Sequence, residues 1–90
     1  MESGSPAIHF NVARAIAKDR PGEAITHLQQ AIKVSTNFAM AHRALGELFL
    51  QTDQHGNAER CFRTCQRLAS DDVARAEILS LIERCQAEQP

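Results

Sequence analysis

The sequence predicts an all-α fold of five short helices. Alanine, leucine, isoleucine, glutamine, glutamate and arginine dominate the chain, and most of these are good helix formers. β-branched residues are few and scattered, which argues against strands. Apolar residues recur at helical spacing, and short polar turn signals separate the runs. The 90 residues form one small domain, residues 1–90, with a modest core.

The helices are predicted in order along the chain. Ser5-Pro6 opens the first helix, because serine suits the N-cap and proline suits the first helical position. The apolar face of this helix is expected to comprise Ala7, Ile8, Val12, Ala15 and Ile16. The other helices are expected at about Pro21 to Val34, Phe38 to Thr52, Gly56 to Ala69 and Asp72 to Gln89.

Short polar segments mark the helix ends. Lys18 to Gly22, Ser35 to Asn37 and Asp53 to Asn57 interrupt the apolar pattern. Ser70-Asp71-Asp72 is a helix-start signal, since short polar side chains cap free N–H groups and acids favour the positive end of a helix. Each of the last four helices therefore has a predicted beginning as well as an apolar stripe.

The chain aligns on itself after a shift of 34 residues. Small residues then fall on small ones and large apolar residues on large apolar ones. The matched pairs include Asp19 with Asp53, Gly22 with Gly56, Ala24 with Ala58 and Leu28 with Phe62, and a further shift places Leu79 and Ser80 under Leu45 and Gly46. Two helices approach closely only where a side chain is small, so we expect helix crossings at Ala24, Ala58 and Gly46.

The second repeat reads His42-x2-Leu45-Gly46-x2-Phe49, followed by Ala58-x3-Phe62. This segment resembles the tetratricopeptide repeat, a 34-residue helix–turn–helix with the pattern W-x2-L-G-x2-Y and then A-x3-F. The resemblance divides the chain into repeats at 5–38 and 39–72 and a capping helix at 73–89. It implies antiparallel helix pairs stacked in a right-handed superhelical array. An unrelated helical bundle is the alternative architecture.

The resemblance departs from the family pattern in places. His42 stands where the family has tryptophan, and Thr36 and Ser70 occupy the proline position. The first repeat matches mainly in its second helix, through Ala24-x3-Leu28. The family match is therefore carried chiefly by the second repeat.

Members of this family bind peptides or protein surfaces in a concave groove lined by the first helix of each repeat. The resemblance thus implies a protein-interaction scaffold with no catalytic residues, cofactor or metal of its own. An accessory substrate-presenting domain of a larger enzyme and a self-associating, homo-oligomeric unit are the open alternatives. By register the groove residues are expected to be His9, Ala13, Ile16, Met40, Arg43, Glu47, Leu50, Glu77, Leu81 and Arg84.

Chaperone-binding members of the family hold a C-terminal carboxylate in a clamp of lysines, asparagines and an arginine. The matching positions are His9, Ala13, Ala44, Ala74 and Ile78, and only the histidine among them could bind a carboxylate. Capture of a chaperone tail by this clamp is therefore not expected.

Nucleic-acid binding is not expected either. The formal net charge is -1, so the chain lacks the positive field that holds a phosphate backbone. Arg60, Arg63 and Arg67 form a local basic stripe on the fourth helix, without aromatic residues for base stacking. We interpret the stripe as a solvated face, with Glu59 placed to pair with Arg63 one turn away.

The cysteines and histidines do not form a catalytic or metal-binding motif. An odd number of cysteines, Cys61, Cys65 and Cys85, argues against a disulfide framework and indicates reduced thiols. Cys61 and Cys65 are one turn apart, but zinc usually has four nitrogen or sulfur ligands. The four histidines are scattered over separate helices and a turn, so no base is expected beside a cysteine nucleophile.

The sequence does not indicate a membrane protein. It lacks the run of about 18 apolar residues that a membrane-spanning helix needs. The first six residues lack the basic-then-apolar order of a secretory signal. A cytoplasmic location is therefore expected, and a periplasmic one stays open for a larger parent protein.

Overall fold

The computed structural model describes residues 5–88, which form five α-helices and no strand. They are α1 (Pro6–Ile16), α2 (Pro21–Val34), α3 (Ala39–Gln51), α4 (His55–Leu68) and α5 (Asp72–Glu88). The all-α prediction is confirmed, and the ends predicted for α2, α3 and α4 agree to within one residue. Gln89, predicted as the end of the last helix, lies outside the described residues. Across residues 5–88, no helix has the length and apolarity to cross a bilayer.

Each helix packs mainly against its neighbours along the chain. The contact between α3 and α4 is the most extensive, and the contact between α2 and α3 is the least extensive of the four sequential ones. The Cys65 thiol near the end of α4 donates a hydrogen bond of 3.6 Å to the carbonyl of Ala39 at the start of α3. These two helices therefore run antiparallel, as do α4 and α5, whose opposite ends meet where His55 contacts Glu88.

Small residues lie at the helix crossings. Ala24 and Ala58 are both completely buried, as expected from their matched positions in the two repeats. Gly46 of α3 lies directly under the ring of Phe62 in α4. A Cβ atom at position 46 would be only 2.7 Å from Cε1 of that ring. The prediction of a close crossing at Gly46 is therefore confirmed, and Phe62 fills the space left by the missing side chain.

The first helix buries a different face from the one predicted. Phe10 and Ala13 are its buried residues, whereas Ile8 is 48% exposed and Ala15 is exposed as well. The ring of Phe10 packs against Phe38, with 5.2 Å between the ring centroids. Because α1 has apolar residues on most sides, the largest of them decides which side turns inward.

The last helix begins as predicted but does not repeat the packing of α3. The Asp71 carboxylate caps α5 by accepting a hydrogen bond of 2.8 Å from the N–H of Ala74. Leu79 is 45% exposed, whereas its counterpart Leu45 is buried. The reason is that α4 covers this side of α3, and within residues 5–88 no helix follows α5 to cover the equivalent side.

The turn between α3 and α4 closes with a Schellman motif. Asp53 adopts a left-handed backbone conformation with φ of 62°. The N–H of Gln54 donates to the carbonyl of Phe49 at 2.7 Å, and the N–H of Asp53 donates to the carbonyl of Leu50 at 3.1 Å. This is the usual way to satisfy the last carbonyls of a helix, and glycine is the preferred residue at the left-handed position.

We expect Asp53→Gly to stabilise the chain by about 0.5–1 kcal/mol, because glycine has no steric penalty in the left-handed region. Chemical denaturation followed by circular dichroism measures the change. The matched control is Asp19→Gly, because Asp19 occupies the same repeat position without positive φ. That change should not stabilise the chain. A destabilised Asp53→Gly variant would contradict this account of the turn.

Candidate interaction surface

Helices α3 and α5 lie side by side on one surface of the molecule. The guanidinium of Arg43 on α3 contacts the carboxylate of Glu77 on α5, with 3.4 Å between Nη1 and Oε1. We call this the α3–α5 surface and define it by Met40, Arg43, Glu47, Glu77, Leu81 and Arg84.

Two clefts open on the α3–α5 surface, and both lie between helices. The larger cleft has a volume of about 360 Å³ and is lined by Glu47, Leu50, Gln51, Leu81 and Arg84. The smaller one has about 160 Å³ and lies where the start of α3, the end of α4 and the first half of α5 meet. It is lined by Ala39, Met40, Arg43, Cys65, Ala69, Ala74 and Ile78. Apart from the arginine, these side chains are small or apolar, so we call it the apolar cleft.

A third cleft separates α1 from α3, with a volume of about 220 Å³. Ala13 and Ala17 line it from α1, and Ala44, Glu47 and Leu48 line it from α3. Glu47 therefore reaches two clefts, one on each side of α3. The clefts show that α3 is the central helix of this side of the molecule.

The charged side chains of the α3–α5 surface pair with one another. Arg43 contacts Glu47 at 3.6 Å as well as Glu77. Exposed pairs of this kind stabilise a protein by less than about 1 kcal/mol. Arg84 donates to Glu88 at 3.2 Å, and this hydrogen bond, with a weaker effect from His55, lowers the pKa of the Glu88 carboxyl. A partner's carboxylate can therefore replace either neighbour of Arg43 at little cost.

Most of the predicted groove residues reach solvent, but two do not. Met40, Arg43, Glu47, Glu77 and Arg84 are exposed, and Leu81 is half-buried. Ala13 is only 1% exposed and Leu50 only 9%. The prediction of these two as contact residues is corrected: Ala13 belongs to the inward face of α1, and Leu50 lies below the larger cleft. They shape the floors of the clefts.

The remaining predicted residues of α1 also make internal contacts. Ile16 is half-buried against the core. His9 is half-buried too, and its Nδ1 lies 3.0 Å from Nδ1 of His27 on α2. The two histidines are 18 residues apart, so no spacing motif signals their contact. The expectation that all the histidines are scattered is wrong for this pair, which forms only when α1 folds back onto α2.

A further cleft was not predicted. It lies between α2 and α4, has a volume of about 360 Å³, and is lined by Gln29, Ile32, His42, Leu45, Phe49, Asn57, Arg60, Cys61 and Thr64. Its polar lining residues come from three helices, and no two of them form a recognisable motif. His42 is already engaged, because its Nε2–H donates to the carbonyl of Thr36 at 2.8 Å.

The cysteines are poorly suited to nucleophilic chemistry. All three are free thiols. Burial raises the pKa of Cys61 to about 11 and that of Cys65 to about 11, and it also raises the pKa of Cys85. The reactive thiolate is therefore scarce at neutral pH. Among residues 5–88, no three or more His, Cys, Asp or Glu side chains cluster to hold a metal ion.

No family model matches the chain, and no curated protein matches it.

Proposed function

We propose that this chain is a protein-interaction module of the tetratricopeptide type that binds a peptide segment of a partner along the α3–α5 surface. The observation that carries the proposal is the apolar cleft beside Met40. The Met40 side chain is 62% exposed although it is large and apolar. A cleft of small and apolar side chains with an exposed methionine at its edge suits one apolar side chain of a partner.

The chemistry of the apolar cleft favours adaptable recognition. Methionine is unbranched and polarisable, so it can adjust to anchors of different shape. Burial of one apolar side chain contributes about 1.5–3 kcal/mol to binding. Val73, which precedes the cleft residue Ala74, is 70% exposed and extends the apolar surface along α5.

Arg43 supplies the polar part of the proposed site. It lines the apolar cleft and contacts Glu47 and Glu77 at once. A peptide that places a carboxylate beside its apolar anchor can pair with this guanidinium. Arginine suits such pairing because its planar group presents several N–H donors in a fixed arrangement. The preferred partner segment is therefore apolar with a neighbouring acid.

The proposal also contains the architectural claim that helix pairs repeat every 34 residues. Two observations support it. Arg43 and Glu77, which are in contact, are 34 residues apart, and so are Glu47 and Leu81, which line the same cleft. Helices in equivalent positions of neighbouring repeats lie side by side in this way. The accessory-domain alternative has no specific structural feature in its favour.

Self-association is the second candidate function, and one observation favours it. Leu79 and Val73 both expose apolar side chains on α5. A chain that associates through this helix should change its sedimentation coefficient with concentration. A constant monomeric value between micromolar and millimolar concentration would exclude this candidate.

The test of peptide binding uses a phage-displayed library of random peptides. Selected peptides are synthesised, and their dissociation constants are measured by fluorescence anisotropy. We expect the double variant Met40→Asp/Arg43→Glu to bind the selected peptides at least tenfold more weakly. Leu50 is left unchanged because it is buried, and its replacement would test stability instead of binding.

The matched control is Val34→Asp/Arg67→Glu. It makes the same two kinds of change at exposed residues of α2 and α4, away from the α3–α5 surface. Peptide affinity should be unchanged in this control, and circular dichroism checks that both variants fold. Equal weakening in the two variants, or selected peptides that bind all three proteins alike, would reject the α3–α5 surface as the binding site.

A further inference from the structure

His9 and His27 face each other across the α1–α2 hairpin. Their Nδ1 atoms are 3.0 Å apart, their ring centroids are 5.2 Å apart, and the ring planes are inclined by 35°. Two neutral imidazoles at this distance share one proton, because one ring donates its Nδ1–H and the other accepts with its Nδ1 lone pair. Two aromatic nitrogens are therefore already directed towards one point between the helices.

This spacing is close to that of two histidines bound to one metal ion. Metal–nitrogen bonds of about 2.0–2.1 Å at a tetrahedral angle place the two nitrogens about 3.3 Å apart and the ring centres about 5 Å apart. The ring centres of His9 and His27 already have this separation. A slight rotation of each ring in place opens the gap between the nitrogens, so an ion can replace the shared proton without movement of α1 or α2.

The core holds both histidines in position. Phe10 follows His9 in α1, Leu28 follows His27 in α2, and both of these neighbours are buried. The two histidines therefore start from fixed backbone positions, and little conformational freedom is lost when their rings bind a common ligand. Both rings are half-buried, so solvent reaches the site.

We propose that His9 and His27 together bind one divalent first-row transition metal ion, with water completing its coordination. Neutral imidazole is a good ligand for zinc, copper, iron and nickel. The bound ion would join α1 to α2 and stabilise this hairpin, because a ligand that binds only the folded state shifts the unfolding equilibrium.

Isothermal titration calorimetry with Ni²⁺ at neutral pH tests the site. Nickel is the probe because it binds imidazole well and does not oxidise thiols as Cu²⁺ does. We expect one ion per chain, and an affinity at least tenfold lower in each of His9→Ala and His27→Ala. His55→Ala is the matched control, since this half-buried histidine contacts Glu88 in a different part of the fold. Its affinity should equal that of the unchanged protein.

Nuclear magnetic resonance locates the ion without any substitution. Substoichiometric Ni²⁺ should broaden the imidazole signals of His9 and His27 before those of His42 and His55. Binding that survives in His27→Ala, loss of binding in His55→Ala, equal broadening of all four histidines, or no binding at millimolar Ni²⁺ would each overturn the proposal.

Discussion

Phe62→Ala should lower the free energy of unfolding by about 3–5 kcal/mol, the largest effect expected of any single substitution in this chain. Phe62 is 0% exposed and packs over Gly46, so its removal leaves a cavity that no neighbouring side chain can fill. Small domains have a total stability of about 5–15 kcal/mol, so the variant should lie close to its unfolding transition. Urea denaturation followed by circular dichroism measures the loss.

Two further substitutions serve as controls for Phe62→Ala. Phe62→Leu keeps most of the apolar volume and should cost less than about 1.5 kcal/mol. Phe38→Ala removes a ring that is only partly buried, so its effect should also be smaller. If Phe62→Ala costs no more than Phe38→Ala, the α3–α4 crossing is not the centre of the core.

The second large effect is expected at the glycine beneath that ring. Alanine at position 46 would place its Cβ 2.7 Å from Cε1 and 2.9 Å from Cζ of Phe62. The ring is enclosed and cannot swing away, so we expect overpacking to cost about 1–3 kcal/mol. Alanine in a helix normally gains about 1 kcal/mol over glycine, and the clash should outweigh this gain. Thermal and urea denaturation measure the net change.

Gly22→Ala is the matched control for Gly46→Ala. Gly22 also lies in a helix, but no atom lies within 4 Å of the Cβ that alanine would add. Alanine should therefore be neutral or stabilising there. A double variant tests the mechanism: Phe62→Leu should reduce the cost of Gly46→Ala, because the smaller side chain makes room for the added methyl group. Additive costs would mean that the two residues do not clash.

The helix ends and the central crossing could be predicted from the sequence, because local signals determine them. Pro21 and Asp71 mark helix starts through their backbone and capping chemistry. Gly46 and Phe62 are prominent in the 34-residue pattern, and their contact follows from the need for a small residue at a close crossing. The choice between a helix and a loop was therefore largely a local matter.

The orientation of α1 could not be predicted in the same way. Its apolar residues lie on several sides, so periodicity favoured Ile8, whereas the structure buries Phe10 and Ala13. Packing against Phe38, which lies outside this helix, determines the outcome. The same error placed Ala13 among the contact residues.

The clefts and the His9–His27 contact were beyond the sequence for a different reason. Each depends on residues from separate helices whose relative rotation no local pattern specifies. Leu50 illustrates the point: its register places it on the α3–α5 surface, yet the neighbouring helix buries it below the larger cleft. Membership of a helix face could be predicted, but exposure on that face could not.

The limited contact between α2 and α3 gives the molecule an uneven response to thermal fluctuation. Proteins open locally in cooperative units, and the boundaries between units lie where the fewest contacts are broken. Opening at the α2–α3 boundary exposes the α1–α2 hairpin while α3, α4 and α5 remain packed on each other. Amide hydrogens of α1 and α2 should therefore exchange with solvent sooner than those of α4. The helices of the α3–α5 surface would then keep their arrangement while the amino-terminal hairpin opens and closes.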